Sequence, residues 1–238
     1  MLKLGLKATK TDQCVFTNED NTIIIAIYVD DGLALAKEKQ TLKNILNCLE
    51  KEFEIKVYND PTTFIGFEVK KTEKGITLKQ ESYIGNLLKK FSMEDSQPVN
   101  TPCNTENKTE TQNTDSINFP YRELIGGLLY VSTRTRPDIS QAVNEASRKI
   151  ENPTKDDVIA AKKILKYLNG TRQKGIMYKK GGDMSKLNAY CDADYANCNK
   201  TRRSTTGFMI MLAEGPADIF TKPLLNNKFN FHAQNIVN

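Results

Sequence analysis

IIIAIYVDDGLALA, residues 23–36, sets two adjacent carboxylates, Asp30 and Asp31, between two apolar runs. Ile23, Ile24, Ile25, Ile27 and Val29 are β-branched, which suits a half-buried strand. Leu33 and Leu35 resume the apolar pattern after an Asp-Gly turn at 31–32. The stretch therefore predicts a hairpin with both acids near its tip. Two anions side by side repel each other and resist desolvation, so they are stable there in water, beside a base, or on a cation. An exposed turn and a cation site both satisfy these residues.

Working outward, EKQTLKNILNCLEKEF (38–53) spaces Leu42, Ile45, Leu46, Leu49 and Phe53 for an amphipathic helix. FEIKVY (53–58) alternates as a strand, and FIGFEVKK (64–71) with ITLKQ (76–80) predicts a second hairpin. SYIGNLLKKF (82–91) reads as a short helix capped by Ser82. Residues 94–120 shift to Asn, Thr, Gln, Glu and Pro with little to bury, which marks a surface linker. Two helices follow in YRELIGGLLYVSTRTR and TRPDISQAVNEASRKIENP, the second with Pro137 in its first turn. TKDDVIAAKKILKYLNG opens on a capping-box pattern, Thr154 with Asp157, and closes on Gly170. GIMYKK, LNAYCDADYA and TGFMIML read as strands. The expected fold class is α+β, divided into 1–98, a polar linker at 99–119, a helical segment at 120–186 and a final segment at 187–238.

YCDAD (190–194) spaces Asp192 and Asp194 two apart, so on a strand both carboxylates face one side. That pattern suits a divalent cation and equally a solvated polar face. Asp218, in PADIFTKPL, reads as a capping or turn aspartate.

Composition excludes several chemistries. Hydrophobic residues make up 39% and charged ones 26%, as in ordinary globular proteins. The five cysteines, Cys14, Cys48, Cys103, Cys191 and Cys198, are odd in number and scattered, which argues against a disulfide framework. His232 is the single histidine and no Cys-x-x-Cys pair occurs, which argues against zinc and against histidine acid–base catalysis. No apolar run is long enough to cross a bilayer and the N-terminus lacks a secretory core, so the expectation is an intracellular protein of cytoplasm or nucleus, with no membrane partner. Residues 1–120 hold 15 Lys/Arg and 18 Asp/Glu, net −3, and residues 121–238 hold 19 and 11, net +8. The second half is the one suited to a polyanion.

In order along the chain, DQCVF and YVDD, FIGFEV, YIGNLLKKFSM with PVNTP, YRELIGGLLYVSTRTRPDI, AAKKILKYLNGT, YCDADYAN with RRSTTGF, and ADIFTKPL together resemble the C-terminal part of the Pol polyprotein of copia-type LTR retrotransposons, over nearly the whole chain. The resemblance implies a reverse-transcriptase palm hairpin at YVDD, a thumb- and connection-like α/β segment, and a partial ribonuclease H-like β-meander. It implies that Asp30 and Asp31 are the hairpin acids of a polymerase site that holds two metal ions, Mg2+ in the family. It further implies that Asp192 and Asp218 match two of the four ribonuclease H carboxylates. The family's partner palm aspartate would precede Met1, and its middle ribonuclease H acids find no match between Leu212 and Pro216, so the expectation is a catalytically inactive fragment that binds Mg2+ weakly. Two alternatives accompany it. One is a retained non-specific binder of template-primer or hybrid duplex, using Arg134, Arg136, Lys162, Lys163 and Lys166. The other is part of a complete reverse transcriptase whose gene model is truncated, and association with other Pol fragments is a further expected partnership.

Overall fold

The computed structural model describes residues 1–103, 118–181, 187–196 and 201–212. The chain divides into two compact units, Met1–Phe67 and Glu68–Asn238. Both combine helices with antiparallel sheet, so the mixed α and β class expected from the sequence holds.

The first unit is an antiparallel meander with strands β1 (Lys7–Ala8), β2 (Val15–Thr17), β3 (Ile23–Tyr28) and β4 (Asp31–Ala36) in that order. Period-two alternation sends Ile23 and Ile25 to one face, where they are buried with Leu6 and with Ile45 of helix α1 (Lys39–Glu52). Ile24, Tyr28 and Leu35 lie on the other face and are exposed. Strand β5 is the short pair Thr63–Phe64. FEIKVY, expected as a strand, has no strand pairing, and Phe53 and Tyr58 are exposed. Alternation gives a residue string its two faces, but a ladder also needs a neighbouring strand.

The second unit is built on four helices. They are α2 (Glu81–Lys90), α3 (Tyr121–Arg134), α4 (Ser140–Ser147) and α5 (Lys155–Gly170). Their apolar stripes form one core that includes Ile84, Leu88, Leu124, Leu128, Val143 and Leu165. The capping box at α5 forms as its sequence predicts: the Thr154 backbone N–H donates to Asp157 Oδ2 at 2.8 Å, and the Asp157 N–H donates to Thr154 Oγ1 at 3.2 Å. Pro137 opens a short 3-10 turn, Pro137–Ile139, just before α4. Strands β6 (Phe67–Thr72), β7 (Gly75–Lys79) and β8 (Ile176–Lys179) form an antiparallel sheet. The hairpin of β9 (Leu187–Asp194) and β10 (Thr205–Leu212) turns Met209 and Tyr190 onto the helical core.

The division between units falls after Phe67 and not in the polar stretch at 99–119. The reason is packing: α2, assigned from sequence to the first segment, shares its core with α3 and α5, and Val99, Cys103 and Phe119 at the two ends of the stretch pack on that same core. Strand β8 pairs with β7 and not with β9.

Candidate functional site

Tyr28 pairs with Asp31 and Ile27 with Gly32, so the hairpin turns on Val29–Asp30 and Gly32 lies inside β4. The expected Asp-Gly turn is thus displaced by two residues. Cross-strand register puts Ile24, Leu33, Leu35 and Ile25, Ala34, Ala36 on opposite faces, with the second set against α1, and a two-residue displacement of the turn leaves those faces unchanged. The cost falls on Val29, a β-branched residue with φ of 54° and 83% exposure. A left-handed conformation costs a non-glycine residue roughly 1–2 kcal/mol, and such strain persists where the surroundings over-determine it.

Asp30 and Asp31 are both exposed at this tip, and Asp31 shares a face with Tyr28, away from α1. Among the described residues no group of three or more His, Cys, Asp or Glu side chains is placed to hold a metal ion. Two adjacent carboxylates are part of a donor set for a two-ion centre and not the whole of one, because each ion must be drawn from its hydration shell by several anionic ligands. A two-metal site does not fit these residues alone.

Asp192 and Asp194 lie on one face of β9, as their spacing predicts, each half-buried, opposite Gly207 and Thr205 respectively. The face is the one that carries Tyr190 and Met209 onto the core, so Asp192 stands at its rim. Asp218 lies outside the described residues.

The expected nucleic-acid cations separate into distinct environments. Arg136 is fully buried, which removes it from any surface that meets a phosphate backbone. Its Nε and Nη2 donate to Asp138 Oδ1 and Oδ2 at 2.9 and 2.7 Å, Nη1 donates to the Thr171 carbonyl at 2.8 Å, and Nη2 also donates to Thr171 Oγ1 at 2.7 Å. Tyr167 closes the group by donating its hydroxyl to Asp138 Oδ2 at 2.7 Å. Burial opposes the charge on Arg136, but the Asp138 carboxylate more than offsets it, so the guanidinium is held protonated. Burial, reinforced by Asp138, pushes the Tyr167 phenol well above its ordinary range. Nearby Lys174 is pulled down, chiefly by burial.

The remaining four are nearer the surface. Arg134, at the end of α3, is exposed with its guanidinium 5.9 Å from the Tyr130 ring centre. Lys162 and Lys166, one turn apart, share a face of α5 and are half-buried, with Lys162 5.0 Å from the Phe119 ring centre. Lys163 donates to the Cys103 carbonyl at 2.9 Å, so it ties the helix to the preceding chain. Lys70, Lys74, Lys179 and Lys180, not singled out from the sequence, are a further set of exposed cations. Lys70 and Lys179–Lys180 lie in KK doublets and Lys74 stands alone in the sequence, while the register of β6, β7 and β8 brings Lys74, Lys179 and Lys180 to one end of a sheet with Lys70 two residues in on β6.

The model of the family described as reverse transcriptase (RNA-dependent DNA polymerase) matches residues 1–105. A retrovirus-related Pol polyprotein from transposon RE2 of Arabidopsis thaliana is 36% identical over 220 residues, covering 91% of this chain and 15% of that protein. The corresponding polyprotein from transposon TNT 1-94 of Nicotiana tabacum is 34% identical, covering 87% of this chain and 16% of its own length. An uncharacterized mitochondrial protein of Arabidopsis thaliana is 34% identical over 194 residues, covering 79% of this chain and 78% of that protein. The chain thus spans about 15% of the length of the Pol polyproteins it matches. No solved structure matches it.

Proposed function

The chain belongs to the reverse transcriptase (RNA-dependent DNA polymerase) family of copia-type retrotransposon Pol polyproteins, and from that premise we propose that residues 1–238 are a C-terminal portion of such a polymerase with part of a ribonuclease H segment, inactive in both reactions by themselves. Reverse transcriptases act on nucleic-acid templates with divalent metal ions; magnesium is the ion this reading takes. The observation that carries it is the exposed tip of the β3–β4 hairpin. On this reading Asp30 and Asp31 at that tip are the family's YVDD acids, and among the described residues no group of three or more possible metal ligands includes them. Asp192 on β9, with Asp218, takes the corresponding part for the nuclease. Polymerisation then requires a third carboxylate contributed from outside these residues, in the same polypeptide or in another Pol fragment.

Lys162 and Lys166 on one face of α5, with Arg134, favour a retained contact to the backbone of template-primer or hybrid. Phosphate neutralisation needs little beyond placed cations. Purified protein should neither extend a primer on an RNA template nor cut the RNA of a hybrid, in magnesium or in manganese. It should still bind duplex weakly, with affinity that falls as salt rises. Metal-dependent extension that disappears in the Asp30→Asn/Asp31→Asn variant would overturn the proposal.

A further inference from the structure

At the end of the β6–β7–β8 sheet farthest from α2, lysines from two separate stretches of chain converge. Thr72 pairs with Gly75 and Gly75 with Lys179, so the β6–β7 turn at residues 73–74 lies beside the end of β8. The Lys180 N–H donates to the Lys74 carbonyl at 2.9 Å, which stitches the two together. A Cβ on Gly75, whose φ is 151°, would stand 2.1 Å from the Tyr178 carbonyl oxygen, so the close approach of β8 requires glycine. Lys74, Lys179 and Lys180 are therefore neighbours. Lys70 joins them from β6 on the face that Lys179 shares, and all four are exposed. Lys71, next along β6, has a partner of its own. Glu73 is the one acid within KKTEKG and IMYKKG.

The two ends of the sheet are treated differently. At the α2 end, Lys79 is largely enclosed and sits between Glu68, 3.7 Å away, and Glu81. At the far end, among the described residues, no carboxylate lies within ion-pair distance of Lys70, Lys74, Lys179 or Lys180. On the opposite face at that end, Tyr178 is 56% exposed beside its cross-strand partner Ile76, 42% exposed. Unpaired cations at the sheet end, with an open aromatic ring on its other face, match the requirements of a nucleic-acid strand that crosses this end and whose bases are free to stack. The lysines displace condensed counterions from the phosphates into solution while a base lies on the ring. A duplex hides its base faces, and an acidic peptide or an anionic lipid surface brings no base to stack.

We infer that this lysine-tipped sheet end is a contact for single-stranded nucleic acid, with Lys70, Lys74, Lys179 and Lys180 on the phosphates and Tyr178 under a base. The inference rests on the nucleic-acid reading above and adds a surface separate from α5. The test is fluorescence anisotropy of the full chain with a labelled oligothymidylate and with a duplex, across a salt series. Lys74→Gln/Lys179→Gln/Lys180→Gln should weaken oligothymidylate binding about tenfold or more and reduce the log–log salt slope by about 2, at roughly 0.7 for each phosphate no longer neutralised. Lys180→Gln alone should reduce the slope by about 0.7. Tyr178→Ala should weaken binding about fivefold or more without changing the slope, and Tyr178→Phe should bind as the parent does. Unchanged affinity and slope in the triple variant, unchanged affinity in Tyr178→Ala, or a loss confined to the duplex would each overturn the inference. If only Lys162→Gln/Lys166→Gln weakens binding, this contact falls and the α5 reading stands. If the parent chain shows no salt-sensitive binding, both fall.

Discussion

Removing the Asp138 carboxylate should be among the most damaging single changes to the second unit. Asp138→Ala deletes three hydrogen bonds at once, two from Arg136 and one from Tyr167, and leaves a guanidinium with no solvent exposure and no counter-charge from Asp138. Breaking one side of a buried ion pair costs about 3–5 kcal/mol, because the remaining charge stays desolvated. Tyr167→Phe removes only the hydroxyl that donates to the carboxylate, for about 1.5–3 kcal/mol. Arg136→Met with Asp138→Leu removes both charges together, so its cost should fall well below the sum of the two single changes. The assay is urea unfolding at neutral pH followed by a probe in the second unit, with the slope checked for constancy across variants. A loss under about 1 kcal/mol for Asp138→Ala, or additive costs in the double variant, would refute the account of this network as a closed, mutually dependent group.

Val29→Gly should raise the stability of the first unit by about 0.5–1 kcal/mol in the same assay, because glycine accepts the φ of 54° freely and gives back only part of that gain as chain entropy; a loss would mean the turn differs from the one described. Thr154→Ala should cost about 1 kcal/mol through the capping box of α5, with Thr154→Ser restoring most of it. Burial, then Glu145, pushes the Cys103 thiol up to about 12 from an ordinary value of 9.0, while Lys163 pulls the other way. Its contribution to stability should hold below about pH 9 and decline as pH rises towards 12, because only the unfolded chain then releases the proton. At pH 8, an alkylating reagent followed by mass spectrometry should modify exposed Cys14, Cys48 and Cys191 before Cys103; early labelling of Cys103 would contradict its burial.

Helices were the most legible part of the sequence. The 3.6-residue spacing in α1, α2, α3 and α5 was set by burial of one stripe, and the Thr154–Asp157 cap and Pro137 are local chemistry that needs no tertiary partner. Register was less legible. An unbroken apolar run on both sides of Asp30 is compatible with two-residue turns at neighbouring positions, all of which keep Ile25 on the face of Ala34 and Ala36, so alternation does not choose between them. FEIKVY has the composition of a strand without the neighbour a strand requires. Arg136 illustrates a third limit. RPD places an acid two residues on, but Tyr167 and the Thr171 oxygens that enclose the guanidinium come from the far end of α5, so its charge counts towards the net balance of the second half without reaching its surface. The acids of the YVDD hairpin were legible as a pair because their placement depends on adjacent residues alone.

The pairing of β7 with β8 joins residues roughly a hundred positions apart, with most of the helical core in the intervening chain. The β6–β7 hairpin is made early in synthesis and is marginal by itself, so its open edge must wait for α3, α4 and α5 to be synthesised before Ile176–Lys179 arrives to cover it. A ribosome stalled before residue 176 would therefore display Gly75–Lys79 as an unpaired strand edge, prone to pair with another chain. The last strand of the sheet thus sets the time at which the second unit ceases to be sticky.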